Sequence, residues 1–356
     1  GQTWPSPVPG HYSGIAIKRD ALFNSALTGA GLASGLQMAL HPSMAGGVKS
    51  LTSMFNNTTP VAGSGKLGII LNAGALIQPT TKADFNNPNS RVSIPAKLFS
   101  HNDQQAFVQS GAYTEGAVSG WGGRMADLIL EQNTAAALTC ISVTGNVLFT
   151  SGSKAVSYPV SPNHGPITVN AIRNGNLYQS SHAATALRQI VTEDRKPQAL
   201  EEDYNTTMNN ALSTAKTLSE QIGATPVTNA VTNFFTSSNT NPLSAQLKMV
   251  ARIMEKRDQL GLKRQVFMVG LGGFDLHDNL PEKHDGLLKN VNDALCEFDS
   301  ALQYLGINDS VTTFTTSDFG RTLASNGDGS DHGWGGHYFV MGGQVRGNRF
   351  FGTAPE

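Results

Sequence analysis

The chain predicts an α/β fold, and three observations carry that reading. Near the end, runs of β-forming residues alternate with one long amphipathic helix, as in Val266-Phe-Met-Val-Gly, then 281–305, then Val311-Thr-Thr-Phe-Thr-Thr. Lys66-Leu-Gly-Ile-Ile-Leu-Asn72 is a continuous apolar run ending in a small polar turn, the pattern of a strand buried on both faces. Apolar residues make up 39% of the 356 residues, enough for a sizeable core. The strand–helix–strand pattern implies parallel strands joined by a right-handed crossover, and so a mostly parallel sheet flanked by helices.

The elements follow in order. Residues 1–46 are rich in Pro and Gly, with one helical stretch from Arg19 to Ala26. A short helix is expected within Ser43 to Phe55, the strand at 66–72, and loop over 78–99. Ser100 is a good N-cap for the next helix, with Asp103 at the capping-box position. Trp121 to Gln132 reads as helix. Residues 138–180 change character: Leu138 to Thr144 and Val147 to Thr150 flank Gly145-Asn146 and read as a hairpin or two short strands, with a further extended segment from Ser157 to Val169. We read 138–180 as a small β-rich insertion or as the sheet's antiparallel edge. Helices are expected at 183–192, 197–222 and 243–260, the last with Leu243, Leu247, Val250, Ile253 and Met254 on one face. Thr225 to Asn241 reads as a linker. Strand 265–270, helix 281–305 (stripe Leu287, Leu288, Val291, Leu295, Phe298, Leu302, Leu305), strand 311–316 and strand 338–341 complete a single α/β domain.

Composition narrows the function. Charged residues are only 14%, against about 25% in typical soluble proteins, and Asn, Ser, Thr, Gln and 38 glycines carry the polarity instead. That balance suits an exported protein. Net charge is −1 with no basic stripe, which argues against nucleic acid as a partner. No stretch has the length of about 18 apolar residues that a membrane span needs. Cys140 and Cys296 sit in different elements and read as two separate buried thiols. The first and last residues read as fragment or processing ends.

Chemistry concentrates where strands end. Asp275 and His277 follow Gly272-Gly273, and Asp-x-His offers a hard oxygen and an imidazole, donors suited to a divalent metal. The competing reading is an Asp that caps helix 281–305, with His277 on the surface. Asp318 ends the next strand, and Arg321 would clamp an anionic substrate or pair with Asp318. Asp331, His332 and His337 lie in a loop made almost entirely of Gly, Asp and His. Such a loop builds no core, so its order is expected from a bound metal or substrate, and Trp334 would wall a pocket. Ser100, at a helix N-terminus that favours an anion, is a candidate nucleophile beside His101, although plain capping explains it too. His284, on the first turn of helix 281–305, and Asn72 are outer candidates, whereas His41, His164 and His182 read as ordinary loop or helix-end residues.

Leu40-His-Pro-Ser-Met, Leu98-Phe-Ser-His-Asn-Asp-Gln-Gln, Gly120-Trp-Gly-Gly-Arg-Met-Ala-Asp, Gly272-Gly-Phe-Asp-Leu-His, Ser317-Asp-Phe-Gly-Arg-Thr, Asn326-Gly-Asp-Gly-Ser-Asp-His-Gly-Trp-Gly-Gly-His and Val340-Met-Gly-Gly-Gln-Val-Arg-Gly resemble the bacterial domain-of-unknown-function family 1501. That family is grouped with the alkaline phosphatase/sulfatase-like superfamily, and its members are typically exported. The resemblance implies an alkaline phosphatase-like fold, a periplasmic or extracellular location and a phosphate or sulfate ester as substrate. It implies Ser100 as nucleophile, Asp275 and His277 on one metal (zinc, or calcium or magnesium), Asp318 on a second, and His332 or His337 closing the first. His101, His284 and Asp331 fall in the outer shell. Two departures stand out: the superfamily's usual Asp-His pair is Asp318-Phe319 here, and the early strand bearing its first ligating Asp would precede Gly1. The chain would also lack the family's C-terminal stretch. The alternative is a catalytically degenerate envelope or surface-assembly protein, a homo-oligomer.

Overall fold

A computed structural model describes residues 15–47, 49–57, 66–113, 115–193, 198–223 and 230–355. It is mixed α/β, with two four-stranded sheets that both combine parallel and antiparallel pairs. In the first, the order is Arg349–Phe351, Lys66–Gly74, Gly335–Gly342, Thr313–Phe314. Lys66–Gly74 runs parallel to Arg349–Phe351 but antiparallel to Gly335–Gly342, which is antiparallel to Thr313–Phe314 as well. In the second, Val266–Met268, Cys140–Ser142 and Tyr158–Ser161 run parallel, and Gly165–Pro166 adds an antiparallel edge.

The second sheet is mostly parallel, but the two strands of the strand–helix–strand pattern do not pair with each other. Val266–Met268 and Thr313–Phe314, which flank the long helix Leu280–Tyr304, are hydrogen-bonded into different sheets. The return strand Gly335–Gly342 inserts antiparallel between two strands that share one direction. The hairpin at Gly145-Asn146 is absent too. Cys140–Ser142 pairs in parallel on both sides, and a short 3-10 helix, Leu148–Thr150, occupies the place of the second arm. Residues 140–166 thus share a sheet with Val266–Met268.

One apolar cluster serves both sheets. It takes Leu67, Ile69 and Leu71 from the first, Ile141 and Val160 from the second, and Leu247, Val250, Ile253, Leu295, Phe298 and Leu302 from the helices. The long helix presents the expected stripe: Leu295, Phe298 and Leu302 are buried, with Leu288, Val291 and Leu305 packed beside them. Helix Pro242–Glu255 is covered nearly all round, and its buried Arg252 donates 2.6 Å to the Ile222 carbonyl, at the C-terminus of helix Ala199–Ile222, where a cation is favoured. The helix expected to Gln132 ends there in a 3-10 turn, Leu130–Gln132, whereas the one expected to 260 ends at Glu255.

Part of the expected linker is a packed turn. The Glu297 carboxylate accepts from Thr236 Oγ1 at 3.0 Å and from Ser237 N at 2.8 Å, and buried Asn241 caps helix Pro242–Glu255. Residues 225–229 of that stretch lie outside the described ones. Thr81 and Asp84 form a reciprocal capping box that starts a short helix, Lys82–Asn86, inside the expected 78–99 loop. Both cysteines are buried and unbridged, and burial pushes their thiols up to about 11 and about 12.

The Gly-rich segment is ordered by its own backbone. Gly320–Ser325 and Ser330–Gly333 form an antiparallel ribbon that leads into the sheet strand Gly335–Gly342. A Cβ on Gly320 would lie 1.7 Å from the Gly335 carbonyl, and one on Gly74 would lie 2.2 Å from that of Trp334. Glycine is what lets these backbones touch. The segment's order, expected from a ligand, is thus supplied by the fold.

Candidate functional site

Four pieces of chain meet where the ribbon crosses the end of Val266–Met268. The loop 271–279 brings Asp275 and His277, the ribbon brings Arg321, Asp331 and His332, residues 315–319 bring Asp318 and Phe319, and helix His101–Ser110 brings its first residue. The ribbon is pinned to the loop. Asp328 takes Asn279 N at 3.0 Å through its carboxylate and Leu280 N at 2.9 Å through its carbonyl. It is therefore Asp328, not Asp275, that caps the long helix. Gly329 presses so closely on the loop that a Cβ there would stand 2.1 Å from the His277 carbonyl oxygen.

Asp275 is the centre. Its Oδ1 lies 2.9 Å from His332 Nε2, 3.0 Å from His277 Nε2 and 2.7 Å from an Arg321 amine, while its Oδ2 lies 3.1 Å from His101 Nε2. The two Nε2 atoms are 3.2 Å apart. Burial pushes the Asp275 carboxyl up, but hydrogen bonds from His332, Arg321 and His101 and the nearby His277 outweigh it and bring it to about 2.

The outer partners decide what these atoms can do. His332 Nδ1 lies 3.0 Å from the Phe99 carbonyl, which can only accept, so Nδ1 carries the proton. His277 Nδ1 faces the Asp331 carboxylate at 3.4 Å, with the same consequence, and Asn326 steadies Asp331 at 3.0 Å. With Nδ1 protonated, each Nε2 can face the carboxylate either as a lone pair of the neutral ring or as a second N–H. The three atoms, with mutual separations of 2.9, 3.0 and 3.2 Å, can be held together by ring protons or by a cation among them. A tetrahedral ion with bonds of about 2.0–2.1 Å sets its ligands roughly 3.3 Å apart. The donor set and its spacing could thus hold a divalent cation. His101, Asp275 and His332 also offer donor atoms that all lie within 4.8 Å of one another.

His101 takes a different place from the outer-shell one expected of it. Its Nδ1 lies 2.9 Å from Asp318 Oδ2, so the ring is gripped by carboxylates on both sides. The hydrogen bond to Asp318 pushes its pKa up, against a lowering by burial and with help from Asp275. Asp318 is met by protein donors throughout: Gln105 Nε2 at 3.1 Å joins His101 on Oδ2, and Ser317 Oγ reaches Oδ1 at 3.4 Å.

Phe319, which stands where the superfamily pattern would have an imidazole, is a wall. It is buried, stacks on His332 at 4.2 Å, meets His101 edge-on at 4.8 Å and lies beneath the Arg321 guanidinium at 5.0 Å. Arg321 does not stand free as an anion clamp. Besides Asp275 it donates to the Phe274 carbonyl at 3.0 Å and to the Ser330 carbonyl. Ser100 Oγ donates 2.6 Å to Asp103 Oδ2 and caps no backbone N–H, so the helix N-terminus has no side-chain cap.

Two expected residues stand apart from the cluster's bonds. His337, at the bulge of Gly335–Gly342, accepts from Asn72 N at 3.0 Å through Nδ1. His284 packs against Phe274 and His41, and burial, then the positive charges of His41 and Arg321, push it down. Sequence reasoning missed Phe99, Gln105 and Asp328, and read Phe319 only as a lost imidazole. Phe99 adopts φ +79°, a costly conformation for an aromatic residue, and so aims its carbonyl at His332. Gln105 follows His101 by four residues and shares its helix face, a spacing that could have revealed it.

Fold and site together define a mixed α/β protein with an Asp/His cluster whose side chains could hold a cation. The chain belongs to the family described as protein of unknown function (DUF1501), whose model matches residues 37–356. Neither the curated proteins nor the solved structures contain a match to it.

Proposed function

We propose that this chain is an exported, metal-dependent hydrolase of a small phosphate or sulfate ester. The observation that carries the reading is the convergence of Asp275 Oδ1, His277 Nε2 and His332 Nε2 within 3.2 Å, with each Nδ1 turned to a protein acceptor. Those three residues hold the cation, which supplies Lewis acidity to an ester oxygen when bound. Asp331 and the Phe99 carbonyl orient the two rings, and Arg321 keeps Asp275 ionised. The uncapped N-terminus of His101–Ser110 meets the substrate's anionic oxygens with backbone N–H groups. Ser100 Oγ attacks the phosphorus or sulfur, its proton passes to Asp103 Oδ2, 2.6 Å away, the bond to the ester's alcohol oxygen breaks and the alcohol leaves, and water then hydrolyses the Ser100 ester. The low charge content and the family resemblance support export.

A second reading draws on the same contacts. Ser100 and Arg321 are both occupied by protein partners, as in a catalytically degenerate envelope or surface-assembly protein that holds a cation for order alone. Aryl phosphate and sulfate panels, run on zinc-, manganese- and calcium-loaded protein, separate the two. The hydrolase reading expects turnover that Asp275→Ala and Ser100→Ala each lower by at least about 100-fold, while Ser100→Ala keeps its metal. Metal binding without turnover on either panel supports the second reading, and absence of both defeats the two together.

A further inference from the structure

Strand Val266–Met268 lies at the edge of its sheet, and its ladder with Cys140–Ser142 closes where Val143 N donates 2.9 Å to the Met268 carbonyl. Two residues further on, Gly270 is held by a side chain instead of a strand. Gln246 donates 2.7 Å from Nε2 to the Gly270 carbonyl and accepts 2.8 Å from Gly270 N at Oε1. Such an exchange of two bonds is what a paired residue on an antiparallel neighbour would supply. Gln246 is buried on helix Pro242–Glu255, so packing holds its amide in place. On the other side, a Cβ on Gly270 would lie 2.7 Å from Thr144 Oγ1. Gly270 is thus wedged between Gln246 and Thr144 just before the loop 271–279, which carries Asp275 and His277. An apolar side chain of the same length would fill the buried space as well. The two bonds to Gly270 are what the amide adds.

We infer that Gln246 is a positioning residue of the cation site: by fixing Gly270 it sets where the loop departs, and so where Asp275 and His277 stand against His332. The inference rests on the reading that these three residues hold the ion. Gln246 is not a ligand. It acts through the Gly270 peptide, five residues before Asp275. The far end of the same loop is fixed separately, by the Asp328 carboxylate on Asn279 N at 3.0 Å. A clamp that favours the ion is itself favoured by the ion, and by the same factor.

The test is zinc affinity of the full chain, stripped with chelator and titrated in competition with a chromophoric chelator. Gln246→Met keeps the side-chain length and loses both bonds to Gly270. Ile253→Val trims the same buried helix without touching a hydrogen bond. Gln246→Met is expected to weaken zinc binding at least about tenfold, the loss typical of a partner that orients metal ligands, and to weaken imidazole scattering at the zinc edge. Ile253→Val is expected to lower the melting temperature while its zinc affinity stays within about twofold of wild type. A smaller loss in a folded Gln246→Met, or an equal loss in Ile253→Val, overturns the inference and leaves the ion's reading intact. Where Gln246→Met does not fold, hydrogen exchange in wild type decides. Zinc is expected to slow exchange of the Gly270 N–H about tenfold, and exchange that zinc leaves unchanged overturns the inference. No zinc binding in wild type overturns both.

Discussion

Gly329→Ala tests how the ribbon positions the site. The added Cβ would lie 2.1 Å from the His277 carbonyl oxygen and 2.2 Å from its carbon, about 1.3 Å short of the 3.4 Å at which ordinary contact begins. Both obstacles are backbone, so no side chain can swing aside. Gly329 is three residues before His332 and its obstacle is His277 itself, so the relief must separate two of the three converging donors. Metal sites tolerate about 0.2 Å of ligand displacement. A shift several times larger should weaken zinc binding by at least about 100-fold, or roughly 2.8 kcal/mol. Stability of the metal-free protein should fall by about 1–3 kcal/mol, the usual cost of overpacking. Gly272→Ala is the control: it lies in the same loop, three residues before Asp275, with nothing within 4 Å of its added Cβ and no left-handed φ. Competition titration with a chromophoric zinc chelator, beside calorimetric unfolding, gives both numbers. If Gly329→Ala binds zinc within about threefold of wild type, the ribbon does not set the distance between His277 and His332, and the reasoning fails.

Two further predictions concern the packing and the protons of the cluster. Phe319→Ala removes the wall shared by His101, His332 and Arg321 and should destabilise the protein by about 3–5 kcal/mol, with Phe319→Leu costing much less; denaturant melts check this. In the metal-free protein, imidazole NMR should find His101 titrating above 6.5 because of its bond to Asp318, and Asp318→Asn should bring it down. The folded value is raised, so the stability this contact contributes is complete below 6.5 and disappears as pH climbs through the folded value. For Asp275 the sign is opposite. Its value of about 2 lies below the ordinary 3.8, so its contribution holds above 3.8 and is lost as acid approaches 2.

The legible parts were those with local causes. The apolar run at 66–72, the stripe of the long helix and the Ser100 cap position all follow from spacing along the chain, and each appears where spacing puts it. Strand direction was not legible. A strand–helix–strand pattern favours parallel pairing, but it does not reveal that a third strand, Gly335–Gly342, will insert antiparallel. The Gly-rich stretch offers no local reason for order because glycine has no side chain to pack, which is why a ligand is expected to supply it. Its order comes from backbone contacts at Gly320, Gly329 and Gly335, which local sequence does not encode. Asp275, His277 and His332 stood out at strand ends, but their grouping depends on a carbonyl, Phe99, and on a phenyl wall, Phe319, neither of which announces itself as chemistry. His101 was read beneath its neighbour Ser100 because a hydroxyl at a helix start draws attention first. It is the next residue along the helix that reaches Asp275 and Asp318.

X-ray absorption at the zinc edge of the reconstituted protein reaches the central claim most directly. The account predicts an ion with two imidazole nitrogens and at least one carboxylate oxygen at about 2.0–2.1 Å, and the loss of one imidazole in His332→Ala. A spectrum with no histidine scattering, or one that His332→Ala leaves unchanged, would contradict it.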